Sequence, residues 1–212
     1  MSINKGSTCI GSVYLGSTKI GAAYLGNVKV YQSGDPYNPL NLPPYTIRVK
    51  FSDGGTPYFP SGTAVQVSSS PNVWDLTYEN ADWSGLLENQ NTLIEVLGAN
   101  TSSVVAMNGL FSYCTSLTSI QVFDTSSVTQ LSGMCKYCSL LTAVPLFNTS
   151  KVQYMGEMFV GCVSVASGAY ALYQQASSQS TPPFSHSYCF SNCGRNTVTG
   201  AAELALIPND WK

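Results

Sequence analysis

The residues with chemical potential are cysteines, one histidine and a few scattered acids. Cys135-Lys136-Tyr137-Cys138 has the spacing of a metal knuckle, and Cys189 with Cys193 adds a second close pair. A structural zinc site needs four ligands closing a tetrahedron. Cys114, Cys138 and Cys162, however, stand 24 residues apart, and Cys193 follows as a displaced fourth member. One recurring position explains all four. Cys135 fills the slot held by Phe111 and Phe159. Small, semi-apolar thiols suit crowded inward positions, so stacked core cysteines are the expectation, with no metal ligand assigned. Seven cysteines, an odd number, do not make a paired disulfide framework by count.

His186 sits in Ser185-His186-Ser187 beside Pro182-Pro183. A nucleophile pair needs a base within reach and a third group to orient it, and nothing in the sequence places either. No G-x-S-x-G elbow, phosphate loop or H-E-x-x-H occurs. Asp75, Glu79 and Asp82 are the closest acidic trio, and they suit capping of a short helix expected to carry Leu86 and Leu87. The sequence therefore assigns no catalytic, cofactor-binding or metal-binding residue and no cofactor, and it reads as non-enzymatic.

The elements that would hold these residues are repeats. Asn100-Thr101-Ser102-Ser103-Val104 returns as Asp124-Thr125-Ser126-Ser127-Val128 and as Asn148-Thr149-Ser150-Lys151-Val152, in steps of 24 residues. Asn and Asp at such a position suit a turn. Asn-Thr-Ser at 100 and 148 matches a glycosylation acceptor, but the repeat accounts for both. The period extends back to Leu86-Leu87 and forward to Phe190-Ser191-Asn192-Cys193, the latter after a seven-residue insertion (a 31-residue step from Phe159). Constant spacing of apolar positions predicts stacked coils sharing one core. Each unit is expected to hold a short helical turn, such as Met107 to Tyr113 or Leu131 to Tyr137. A short strand, such as Leu117 to Val122 or Leu141 to Leu146, then closes it. Helices are expected over Ala169–Ala176 and from Gly200 to Pro208, with Trp211 covering the end.

Ahead of the repeats, residues 6–31 carry a ten-residue period: Gly6-Ser7-Thr8, Gly16-Ser17-Thr18, Gly26-Asn27-Val28. Short β-branched runs broken by glycine predict a small β-meander. It either packs on the main body or joins copies into a homo-oligomer. Residues 32–44 are turn-rich, and Tyr45–Phe51, Ala64–Val67 and Val73–Tyr78 read as strands that cap the first coil. The expected division is 1–38 as meander and linker, 39–82 as β cap, and 83–212 as repeats with a helical insertion near 166–182 and a terminal cap.

Charged residues make up 9% of the chain and net charge is −2, against about 25% charged residues in ordinary domains. With no basic block, a nucleic-acid partner is not expected. No run of 18 apolar residues predicts a membrane span. The opening residues lack the apolar run of a secretion signal. Tyr14, Tyr24, Tyr31, Tyr37, Tyr45 and Tyr58 crowd the first 60 residues, and those left exposed would suit a protein or glycan ligand.

Leu110-Phe111-Ser112-Tyr113-Cys114-Thr115-Ser116-Leu117-Thr118-Ser119-Ile120, Val122 to Val128 and Met158-Phe159-Val160-Gly161-Cys162 resemble the BspA-like surface repeats, a divergent leucine-rich-repeat family of bacteria. The resemblance implies an α/β solenoid, a right-handed stack of 24-residue coils with a narrow parallel sheet preceded by a small antiparallel β region. It also implies extracellular or cell-surface placement and adhesion or protein binding. The two termini look like proteins of gut Bacteroides-type bacteria and their prophages. That likeness implies, as the alternative, a fibre or tail component of a virion that assembles through residues 6–31.

Overall fold

The computed structural model describes residues 40–59 and 61–212, together with the backbone of four short strands between residues 14 and 32. Those four form two separate antiparallel pairs, β1 (Tyr14–Leu15) with β2 (Thr18–Lys19) and β3 (Ala22–Leu25) with β4 (Val28–Gln32). The side chains of the meander, including Tyr14, Tyr24 and Tyr31, lie outside the described residues, as do Cys9 and Tyr37.

A five-stranded mixed sheet follows, in the order β6-β7-β5-β8-β9. Its members are β5 (Thr46–Phe51), β6 (Thr63–Ser69), β7 (Asn72–Thr77), β8 (Leu93–Asn100) and β9 (Ser119–Ile120). Central β5 alternates as a strand with two environments must. Ile47, Val49 and Phe51 point into the core, while Arg48 and Lys50 lie on the opposite face. Each cation meets the acid across the ladder. Arg48 grips Asp75 on β7 with two bonds of 2.6 and 2.7 Å, and Lys50 reaches Glu95 on β8 at 3.2 Å. Asp75 is therefore a cross-strand partner and not a cap.

The expected leucine-rich-repeat solenoid is not the observed architecture. A right-handed stack of that kind would draw one strand from every coil into a narrow parallel sheet. Here the only parallel strand pairing among the described residues is β8 with the two-residue β9. The segment 141–146 forms no strand, only a single bridge from Ala143 to Ser167. Pro145 interrupts its row of amide donors. The regular structure is instead the mixed sheet plus two short helices, α1 (Ala169–Ser177) and α2 (Val198–Leu206), and the terminal 3₁₀ turn Asn209–Trp211.

The expected helical turns at 107–113 and 131–137 are also absent. An α-helix sends each amide back four residues along its own chain. Here alternate amides leave the unit: Met107, Gly109, Phe111 and Tyr113 donate to the carbonyls of Gln130, Ser132, Met134 and Lys136. Leu131, Gly133, Cys135 and Tyr137 donate onward to Tyr154, Gly156, Met158 and Val160. The intervening amides close local turns, such as Leu110 to Met107 and Ser112 to Gly109. This alternation requires left-handed backbone at Gly109 (φ 61°), Tyr113 (60°), Gly133 (62°) and Tyr137 (58°). The helical burial rhythm of Met107, Leu110, Phe111 and Cys114 thus comes from a chain of turns.

The same four-bond joint links Trp83 to Asn89 with Ala106 to Ser112, and Met155 to Gly161 with Ser185 to Ser191. The seven extra residues before Ser185 are taken up by α1 and the segment after it. A single hydrophobic cluster runs from Ile47 on β5 to Trp211 and includes Val104, Val128 and Val152.

Candidate functional site

The buried positions show first what the thiols do. Cys114, Cys138 and Cys162 donate to the carbonyls of Leu87, Phe111 and Cys135 at 3.0, 3.1 and 3.0 Å, each 27 residues back. Cys114, Cys135, Cys138, Cys162, Cys189 and Cys193 are free and buried. Burial pushes the thiols of Cys114, Cys135, Cys162 and Cys189 well up, and that of Cys193 up to about 12. A thiol so placed stays protonated and is neither a nucleophile nor a ready ligand. Among the described residues no group of three or more His, Cys, Asp or Glu could hold a metal ion.

His186 is likewise engaged in structure. Its ring stacks on Trp211 with centroids 4.2 Å apart, Nδ1 lies 3.1 Å from the Pro183 carbonyl oxygen, and Nε2 lies 3.5 Å from Asp210. No hydroxyl or thiol nucleophile bonds to it among the described residues. The turn residues Asp124 and Asn148 accept from the amides of Ser126 and Ser150, and Asn100 donates to the Leu42 carbonyl. Thr101 and Thr149 beside the two asparagines are buried. Thr125 donates to the Asn148 carbonyl at 2.8 Å, and Gln175 and Gln179 take up Thr149 where the row ends.

The exposed side chains define the candidate surface. Counting by the inter-unit bonds, residues 82–89, 106–113, 130–137, 154–161 and 185–192 lie side by side. The Tyr113 and Tyr137 rings meet at a tilt of 32° with centroids 5.1 Å apart, and each residue is about two-fifths exposed. Gly161, next in that row, has φ 75°, and a Cβ there would enter the Tyr137 ring. The Tyr137 ring is thus packed between Tyr113 and Gly161, with part of it left in water. At the other side of the same runs, exposed Tyr154 meets exposed Phe184 edge-on at 6.3 Å, and Tyr188 stands exposed nearby in sequence.

The first unit differs from the rest. Gln90 occupies the position that is cysteine in 114, 138 and 162. It is buried, and its side chain makes two bonds to the backbone of Tyr58: Nε2 donates to the carbonyl at 2.8 Å, and Oε1 accepts from the amide at 3.1 Å. The Tyr58 side chain is 74% exposed. It borders an open cavity of about 430 Å³ whose lining includes Tyr78, Asn80, Asp82, Glu88 and Asn89. Asp82 accepts from the Ser84 amide at 2.9 Å, but it heads a run of turns and not the expected helix. Glu79 lies outside this group. In the sequence Tyr58 is one of many tyrosines, and Gln90 carries no motif of its own. The signal for it was the break in the cysteine register.

These features define a turn-built repeat protein with a buried thiol column and an exposed aromatic surface, and without an assembled catalytic group among the described residues. The chain belongs to the family described as "Mycoplasma protein of unknown function, DUF285", which matches residues 82–193, just over half its length. This corrects the resemblance to BspA-like surface repeats, and the likeness of the termini to Bacteroides-type and prophage proteins is likewise not sustained. No curated protein and no solved structure matches the chain.

Proposed function

We propose that the protein is a non-enzymatic binding module, displayed at a cell surface or outside the cell, that recognises a protein or a glycan. The supporting observation is the set of aromatic side chains left in water on rigidly hydrogen-bonded backbone: Tyr58, Tyr113, Tyr137, Tyr154, Phe184 and Tyr188. Aromatic groups with a polar edge are favoured anchors because they bring large contact area at small entropic cost. Backbone bonds at the joints between units fix Tyr113, Tyr137 and Tyr154 relative to one another, which lowers the ordering cost of binding.

The buried thiols and the structurally occupied His186 leave the described surface with recognition chemistry. Screening full-length protein on glycan arrays and on intact cell surfaces tests the reading. Saturable binding weakened by Tyr58→Ala or Tyr188→Ala is the expected result. Blank screens with well-folded protein, or turnover of a substrate, would contradict it.

A further inference from the structure

We infer that the cleft beside Tyr58 is a subsite for an uncharged pyranose unit of a glycan. This rests on the binding-module reading and assigns it a place and a ligand class. Three observations carry it. The cavity, at about 430 Å³, falls within the range of small-ligand sites and is large enough for a sugar ring.

Its lip is an aromatic ring 74% exposed, and the backbone beneath that ring is clamped by both polar ends of buried Gln90. In three other units this position is a thiol, Cys114, Cys138 or Cys162, that bonds within the stack. The first unit spends it on holding a tyrosine in water. The electron-rich face of such a ring attracts the weakly positive C–H groups on one side of a pyranose.

The third observation is the polar lining. Asn80, Asp82, Glu88 and Asn89 carry planar amide and carboxylate groups, which suit pairs of neighbouring hydroxyls. The Glu88 carboxylate has no hydrogen-bond or ion-pair partner among the described residues, so its acceptor capacity is available. No lysine or arginine among the described residues lines the cleft. Two carboxylates without a cation oppose sialylated or uronic units and accept hydroxyl donors.

The test uses the full chain, a glycan array with neutral, amino, sialylated and uronic arms, and titration calorimetry of the best neutral oligosaccharide. Tyr58→Ala is expected to weaken binding by at least about tenfold. Tyr58→Phe should retain most affinity, and Glu88→Gln should weaken it by a few-fold with the thermal midpoint unchanged. Neutral-glycan binding untouched by Tyr58→Ala would overturn the cleft assignment while leaving the module reading intact. Preference for an acidic glycan, or for a protein ligand in place of any glycan, would overturn the ligand class. No binding of any kind by folded protein would bring down both.

Discussion

Cys138 shows how little freedom the interior residues have. Its thiol donates to the Phe111 carbonyl and pairs with Cys135 three residues earlier in the chain. Burial holds the thiols of Cys135, Cys162 and Cys189 well above their ordinary range, because ionising them strands a charge without water. Above the ordinary thiol value of 9.0, an unfolded chain sheds protons that the folded chain keeps up to about 12 at Cys193. Stability should therefore be level below pH 9 and fall as pH rises through that window, by about 1.4 kcal/mol per pH unit for each protected thiol. Urea titrations from pH 7 to 11 measure this, and a flat profile would show that the thiols are accessible. Gly161 supplies a second residue-scale expectation. Gly161→Ala forces a left-handed alanine into the Tyr137 ring and should cost about 1–3 kcal/mol. Adding Tyr137→Ala should recover the steric part of that loss, which a double-mutant cycle by urea denaturation would read.

At the scale of elements, the lesson is what a burial period can and cannot specify. Spacing of apolar residues marks which side chains go inside, and Met107, Leu110, Phe111 and Cys114 were legible as such. It does not state where the amides point. Left-handed Tyr113 and Tyr137 divert alternate amides to the neighbouring unit, and no propensity rule flags a tyrosine for that conformation. No strand is expected at β8, which lies between the weak repeat at Leu86-Leu87 and the first full repeat at Asn100. Its pairing with β5, some 45 residues earlier, is non-local. Helix α1 was easier, since Ala169, Leu172 and Ala176 share one buried face before a proline pair. The candidate cleft was hardest to see, because Tyr58 and Gln90 are 32 residues apart and meet only through backbone bonds.

The two ends of the stack are closed by different means. At the start the sheet covers it. At the finish the Phe190 amide donates to the Trp211 carbonyl, and the Trp211 ring packs on His186, Phe190 and Tyr173. Trp211→Ala should cost about 3–5 kcal/mol, measured as a shift in urea midpoint. A change below about 1 kcal/mol would mean that the last unit closes without it.

For the whole molecule, sparse charge and a hydroxyl-rich exterior leave solubility to amides and hydroxyls, with net charge only −2. No helix among the described residues is long and apolar enough to cross a membrane. Assembly of copies through residues 6–31 is a separate expectation. Light scattering on the full chain and on a version starting at Leu40 tests it. A larger particle for the full chain alone is the expected outcome, and equal monomers at high concentration would end the idea.

The fold depends most on units joined by alternate backbone amides. Residue-resolved hydrogen exchange under native conditions reads this directly. Met107, Gly109, Phe111 and Tyr113, with Leu131, Gly133, Cys135 and Tyr137, should exchange with the slow core. Glycine substitution at Trp211, which loosens the terminal cap, should speed exchange first at the joint between residues 155–161 and 185–191 and leave the central joints protected. Fast exchange at those eight central amides in the intact protein would contradict the architecture described.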